Sequence, residues 1–172
     1  MKALVIVDYQ YDFVEGTLGF PGASELEGPI SEKIMKAKAE GADIYFTMDC
    51  HGPDYLDTQE GRRLPIEHCN TPDGMRLYGK IDALSDDGTV IRKPSFGSIE
   101  LFETMRERKY DEVELCGVVT NICVISNAIL VKTALPEAKV VVDAECVGGG
   151  DKALNDKALD VMAGLQIDII NR

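Results

Sequence analysis

Short apolar runs alternate along this chain with longer segments in which apolar residues recur every three or four positions. The short runs, which are typical of buried parallel strands, are residues 2–7, 43–48, 89–92, 113–116, 139–142 and 166–170. The longer segments predict helices at residues 28–40, 98–108 and 151–163, and a fourth helix that carries Cys123 in its first turn and runs to about Ala134. Strands that alternate with helices predict an α/β fold with a mostly parallel sheet.

Two stretches lack this periodicity. Residues 9–22 are predicted to form a Gly-rich loop, and residues 50–87 are rich in Gly, Pro, Asp and His. A structureless segment of the second length is usually functional in a compact domain. Because no repeat, low-complexity tract or linker interrupts the pattern, we expect a single domain over residues 1–172.

The composition narrows the choice of partners. A formal net charge of −12 argues against nucleic acid and against anionic membranes, and it suits a neutral or cationic small molecule. The apolar run that ends at Val7 is too short for a signal peptide, and no run has the length of a membrane span. The 5 cysteines have no tight paired spacing, so we expect reduced thiols in a cytoplasmic enzyme.

Polar residues follow the predicted strands. Asp8, Asp49 and Lys93 each stand at a strand end, and Cys123 follows the fourth strand after a turn. Ligands bind at the carboxyl ends of strands in open α/β sheets, so we expect these side chains on one rim. The first turn of a helix also offers free N–H groups and a positive dipole end, which predicts that the Cys123 thiolate is favoured.

Three of these residues form a candidate catalytic set. Cys123 would attack a substrate, Asp8 would accept the thiol proton, and Lys93 would stabilise both negative charges. The alternatives are structural: a buried helix cysteine, a strand-end carboxylate bonded to backbone, and a solvated surface lysine.

A second cluster has the composition of a metal site. Asp49 and His51 lie on one extended stretch, His68 can return from the long loop, and Glu60 is a further candidate ligand. One carboxylate and two imidazoles suit zinc, manganese or iron, with positions left open for water or substrate. Loop histidines on a polar surface are the alternative.

Five segments in order resemble the isochorismatase-like cysteine hydrolases, and among them the nicotinamidases. They are ALVIVDYQYDFVEGTLGFPG, MDCHGPDY, IEHC, IRKPSFGS and GVVTNICV, and they extend over nearly the whole chain. The resemblance implies a three-layer, doubly wound, six-stranded parallel sheet of order 3-2-1-4-5-6. It also implies a cis peptide bond between Val118 and Val119.

The resemblance assigns roles to individual residues. It implies the triad Asp8, Lys93 and Cys123, an oxyanion hole formed by the N–H groups of Val119 and Cys123, and a pocket wall at Phe13. It implies metal ligation by Asp49, His51 and His68, with Glu60 near the place of a ligand seen in some members. The expected ion is zinc, with manganese and iron as alternatives.

The activity implied by the resemblance is hydrolysis of nicotinamide to nicotinate and ammonia through a thioester, a step of NAD salvage. Asp8 would shuttle the proton, and the metal would hold the pyridine nitrogen of this small-molecule amide. A homo-oligomer is expected. The alternatives are a hydrolase of another amide or carbamoyl compound, an isochorismatase-type hydrolase, and a catalytically silent small-molecule-binding relative.

Overall fold

A computed structural model describes all residues, 1–172. Its centre is one sheet of six parallel strands in the order β3-β2-β1-β4-β5-β6. The strands are Lys2–Val7 (β1), Asp43–Asp49 (β2), Thr89–Lys93 (β3), Glu112–Val118 (β4), Lys139–Gly148 (β5) and Asp168–Ile170 (β6). The chain order reverses between β1 and β4, which creates a crevice at their carboxyl ends.

Eight α-helices connect the strands. They are Tyr11–Val14 (α1), Glu27–Ala39 (α2), Gln59–Arg63 (α3), Pro72–Met75 (α4), Lys80–Leu84 (α5), Ile99–Arg108 (α6), Ile125–Ala134 (α7) and Lys152–Gly164 (α8). A turn of π-helix, Thr120–Val124, precedes α7, and 3₁₀ turns lie at Ser24–Leu26, Tyr55–Asp57 and Ser85–Asp87. None of the helices combines the length and apolar composition that a membrane crossing requires.

The sheet separates two apolar cores, which explains why its strands are apolar on both faces. Val5 of β1 packs in a core with α6, α7 and α8, which contribute Leu101, Val131 and Leu159 among others. The next residue, Ile6, lies in the opposite core with α2 and α5. The predicted three-layer, doubly wound fold and its strand order are thus confirmed.

The two segments without periodicity contain more structure than the sequence predicts. Residues 9–22 include α1, and residues 50–87 include α3, α4 and α5. Helices of four or five residues are too short to show a repeat. Two of them begin at threonine caps, where Thr58 accepts from Gly61 N–H and Thr71 accepts from Gly74 N–H. Strand β5 also extends to Gly148, well beyond the predicted end, through a register shift against β4.

Candidate active site

The carboxyl ends of four adjacent strands gather the predicted site residues at one rim. Asp8 follows β1, Asp49 and Lys93 end β2 and β3 as register partners, and Cys123 follows β4. Gly117 permits the close approach of β4 to β1, because a Cβ there would lie 2.1 Å from the carbonyl oxygen of Val7. Its φ of +113° is also one that residues with side chains rarely adopt.

Lys93 joins the catalytic candidates across this rim. Its Nζ lies 2.7 Å from Asp8 Oδ2, 3.3 Å from Asp49 Oδ1 and 3.6 Å from Cys123 Sγ. It also donates a hydrogen bond of 2.8 Å to the carbonyl of Ser95. Lys93 is 2% exposed, so the surface-lysine alternative is wrong: the ammonium group is held by buried partners.

The Asp8 carboxylate is fixed from the neighbouring strand. Thr47 donates its hydroxyl to Asp8 Oδ1 at 2.7 Å, and the Asp8 N–H donates to the carbonyl of Thr47 at 3.1 Å. Asp8 adopts a φ of +48°, which turns the chain sharply at the strand end. Asp8 Oδ2 has no directed hydrogen bond beyond its ion pair with Lys93, so this oxygen is available to receive a proton.

Burial controls the protonation of the three groups. It raises the pKa of the Asp8 carboxyl, with Asp49 acting in the same direction and Lys93 opposing it. Burial alone lowers the pKa of Lys93, but the nearby Asp8, Cys123 and Asp49 raise it overall, so the ammonium stays charged. Burial and Asp8 raise the pKa of the Cys123 thiol well above its ordinary value. Burial therefore opposes the effect of the helix start on the Cys123 thiol, and Cys123 needs a proton acceptor to become a thiolate.

The backbone around Cys123 leaves the N–H donor of Val119 free. The peptide bond between Val118 and Val119 is cis, as expected. The Val119 N–H makes no backbone hydrogen bond, and both Val119 and Cys123 line the same cavity. The Val124 N–H reaches back to the carbonyl of Val119 at 3.2 Å, which closes the π turn that carries the cysteine.

Asp49, His51 and His68 come together beside these residues. One ligand atom from each lies within 4.8 Å of the others, and Asp49 Oδ2 is 3.0 Å from His51 Nε2 and 3.6 Å from His68 Nε2. His68 Nδ1 donates to the carbonyl of Ile66 at 2.8 Å, which leaves Nε2 free to bind a metal. A buried carboxylate with two imidazoles fits a divalent ion, and the alternative of loop histidines on a polar surface is wrong, because both side chains are buried.

Glu60 lies at the edge of this group. Its Oε1 is 3.9 Å from His51 Nε2, and it is not one of the three gathered ligands. Burial raises the pKa of its carboxyl, and the nearby His51 opposes this. Tyr55 packs against both histidines, with ring centroids 4.6 Å from His51 and 5.0 Å from His68.

Two buried polar side chains that sequence reasoning missed hold the metal candidates. Gln10 accepts from the Asp49 N–H at 2.7 Å and donates to the carbonyls of Asp49 and Met75 at 2.9 and 2.8 Å. Asp12 Oδ2 accepts from the N–H of Cys69, next to His68, at 2.7 Å. The signal was the spacing of Asp8, Gln10 and Asp12 after an apolar strand, since buried polar groups need partners.

A cavity of about 420 Å³ opens between the two clusters. Phe13 forms part of its wall, and His68 packs edge-on against Phe13 with ring centroids 5.6 Å apart. The polar lining includes Asp49, Glu60, His68 and Cys123; the apolar lining, which the sequence did not identify beyond Phe13, includes Leu18, Phe20, Leu64, Phe96, Val119 and Ile122. Neither lysine nor arginine lines the cavity, which therefore suits a neutral or cationic molecule with an apolar ring.

Comparisons with known proteins agree with this geometry. The family model described as "Isochorismatase domain" matches residues 2–171. An uncharacterised isochorismatase family protein PncA of Bacillus subtilis is 30% identical over 141 residues, which cover 74% of this chain and 76% of the relative. A nicotinamidase/pyrazinamidase of Mycobacterium tuberculosis is 29% identical over 145 residues, covering 74% and 77%.

Solved structures give the same result. The pyrazinamidase of Pyrococcus horikoshii in complex with zinc has a TM-score of 0.86 at 27% identity, and the match covers 99% of each chain. The pyrazinamidase/nicotinamidase of Streptococcus mutans has a TM-score of 0.87 at 27% identity, covering 99% of this chain and 100% of the other. The chain belongs to the isochorismatase family, and the prediction of an amidohydrolase is confirmed.

Proposed function

We propose that this chain hydrolyses nicotinamide to nicotinate and ammonia through a thioester on Cys123. The observation that carries the proposal is the contact of one buried lysine with both Asp8 and Cys123 at a cavity that also borders Asp49 and His68. The cavity has an apolar wall for a ring and lacks a basic side chain for an anionic substrate. Relatives named nicotinamidase or pyrazinamidase support the same substrate class.

The first half-reaction forms the thioester. Cys123 Sγ attacks the carboxamide carbon while Asp8 takes the thiol proton; the raised pKa of the Asp8 carboxyl favours this transfer, because it makes the carboxylate a stronger base. The N–H groups of Val119 and Cys123 receive the developing oxyanion. Asp8 then gives its proton to the amino group, which leaves as ammonia while the acyl carbon stays bonded to sulfur.

The second half-reaction regenerates the thiol. Asp8 takes a proton from water, and the hydroxide adds to the thioester carbon. The carbon–sulfur bond breaks, the Asp8 proton returns to Cys123, and the carboxylic acid loses its proton to solvent and leaves as nicotinate. Lys93 remains protonated throughout and balances the negative charge that alternates between Asp8 and Cys123.

The metal candidates have a separate role in the proposal. Asp49, His51 and His68 would hold a divalent ion, which we assign as zinc, with manganese or iron as alternatives. When bound, the ion would supply a Lewis acid for the pyridine nitrogen of the substrate. Glu60 would serve as a further ligand, directly or through water, because its carboxylate faces His51. Phe13 would pack against the substrate ring.

We also propose a single domain, because one family model extends over residues 2–171. Five free cysteines support a reducing, cytoplasmic location, and nicotinate would then enter NAD salvage. A homo-oligomer is supported by exposed apolar residues on α8, including Val161 at 52% exposure and Leu154 at 44%. Sedimentation of the purified chain tests this last proposal.

Ammonia release from nicotinamide tests the activity. Purified protein would be assayed with zinc, manganese or iron, beside Cys123→Ala under the same conditions. We expect release that requires metal and is lost in the variant. If folded, metal-loaded protein releases no ammonia, nicotinamide is not the substrate, and other small amides and carbamoyl compounds become the candidates.

A further inference from the structure

Asn127 is a fully buried amide that joins two parts of the site. It lies on α7, one turn after Cys123, and is 0% exposed. Its Nδ2 donates to the carbonyl of Cys123 at 2.8 Å and to the carbonyl of Phe96 at 3.1 Å. Its Oδ1 accepts from the N–H of Ser98 at 3.0 Å. A side chain that both donates and accepts is needed to satisfy these three backbone groups.

The groups that Asn127 contacts belong to the catalytic rim. Phe96 lines the cavity, and the loop that contains it begins directly after Lys93. The carbonyl of Ser95 in this loop accepts from Lys93 Nζ, which in turn lies 3.6 Å from Cys123 Sγ. The position of the lysine relative to the thiol therefore depends on how the loop is held against the π turn.

We infer that Asn127 is a positioning residue, which fixes the loop after Lys93 to the turn that carries Cys123. This inference rests on the proposed function in so far as Cys123 is the nucleophile. By holding Ser95 and Phe96, Asn127 keeps the ammonium group of Lys93 beside the thiol and one wall of the cavity in place. Sequence reasoning overlooked it because a polar residue within a helix is usually exposed.

A threonine at position 127 can separate the contact of Asn127 with the Cys123 carbonyl from its contacts with the loop after Lys93. Ser126 and Thr133 of the same helix donate their hydroxyls to the carbonyls four residues earlier, at 2.6 and 2.7 Å. A threonine at position 127 can do the same to the carbonyl of Cys123. Asn127→Thr therefore keeps the bond within the helix and releases the loop, whereas Asn127→Leu removes all three bonds and keeps the same branched shape.

The test measures how fast chloroacetamide alkylates Cys123 at fixed pH, by mass spectrometry of its peptide, together with the thermal midpoint. This readout does not require nicotinamide turnover, so it stands even if the proposed substrate is wrong. Ser98→Ala is the control, because it removes the cap that accepts from Leu101 N–H on α6 and leaves the Asn127 contacts intact. Ser98→Ala should lower the thermal midpoint but change the alkylation rate by less than about twofold, which corresponds to a few tenths of a kcal/mol.

Loss of positioning should slow alkylation, because the thiolate loses its ammonium partner. We expect the alkylation rate to be about tenfold lower in Asn127→Leu and at least about threefold lower in Asn127→Thr. These changes have the size expected from the loss of one or two hydrogen bonds. Where nicotinamide is hydrolysed, kcat should fall more than KM rises. A purely structural role would only loosen the fold and expose the thiol. Unchanged or faster alkylation in the folded Asn127→Thr protein would overturn the inference, even if Asn127→Leu does not fold.

Discussion

The two halves of the candidate site are built in different ways. In the strand half, Asp8, Lys93 and Cys123 stand at or just after strand ends, and the register of the sheet sets their spacing. In the loop half, His51 and His68 belong to a segment outside the sheet. Their positions depend on neighbouring side chains that bond to the backbone of the segment.

The loop half is therefore held by hydrogen bonds from buried side chains, whereas the strand half is held in place by the sheet. Gln10 and Asp12 reach from the segment after β1 to the backbone of Asp49 and Cys69. Buried amides and carboxylates of this kind cost stability if one partner is removed. We expect substitutions in the strand half to abolish chemistry with little loss of structure, and substitutions in the loop half to lower metal affinity and stability together.

The largest effect should come from the strand half. Cys123→Ala should lower the rate of amide hydrolysis by at least ~10⁴-fold, because a covalent route has no other nucleophile. Its thermal midpoint and bound metal should stay close to those of the unmodified protein. Cys146→Ala is the matched control, since Cys146 is equally buried but lies away from the cavity. Substantial activity in Cys123→Ala, measured as ammonia release, would show that Cys123 is not the nucleophile.

An intermediate effect is expected from the loop half. Asp12→Ala leaves the N–H of Cys69 without its acceptor, so His68 loses its fixed position. Metal affinity should fall about 10–100-fold, as it does when groups that orient ligands are removed. Competition with a chelator, followed by elemental analysis, measures this change. Asp73 is an exposed carboxylate in the same segment as His68, and Asp73→Ala should bind metal normally. Equal metal affinity in the two variants would contradict the role of Asp12 in holding His68.

The smallest effect concerns packing behind the histidines. A Cβ at Gly61 would lie 2.0 Å from the carbonyl oxygen of Tyr55, whose ring packs against both His51 and His68. Gly61→Ala should therefore destabilise the protein by about 1–3 kcal/mol and weaken metal binding. At Gly164 of α8 the same substitution meets no atom within 4 Å, and it should be neutral or stabilise by up to about 1 kcal/mol. Denaturant unfolding compares the two, and equal midpoints would show that the loop half tolerates repacking.

The difference between the strand half and the loop half also explains which site residues the sequence could predict. Apolar strands with a polar residue at the end identify Asp8, Asp49 and Lys93, because a parallel sheet brings its strand ends together. The strand order and the contact of Lys93 with Cys123 needed the resemblance as well, since periodicity alone does not order strands.

Other features have no periodic signal. The one-turn helices of residues 50–87, the clamps of Gln10 and Asp12, and the bridging amide of Asn127 depend on contacts between distant segments. The pKa of the Cys123 thiol depends on its burial and on Asp8 and Lys93, as well as on the helix start that the sequence shows. Such features depend on tertiary contacts that a residue pattern does not contain.

In the proposed reaction the acyl group passes through Cys123, and trapping this intermediate is the most direct test. Metal-loaded protein would be mixed with nicotinamide, quenched in acid within the first turnovers, and digested for mass spectrometry. We expect a nicotinoyl thioester on the peptide that contains Cys123, absent from Asp8→Asn protein in which proton transfer is blocked. Nicotinate formation with Cys123 unmodified at every time point, and retained in Cys123→Ala, would contradict it.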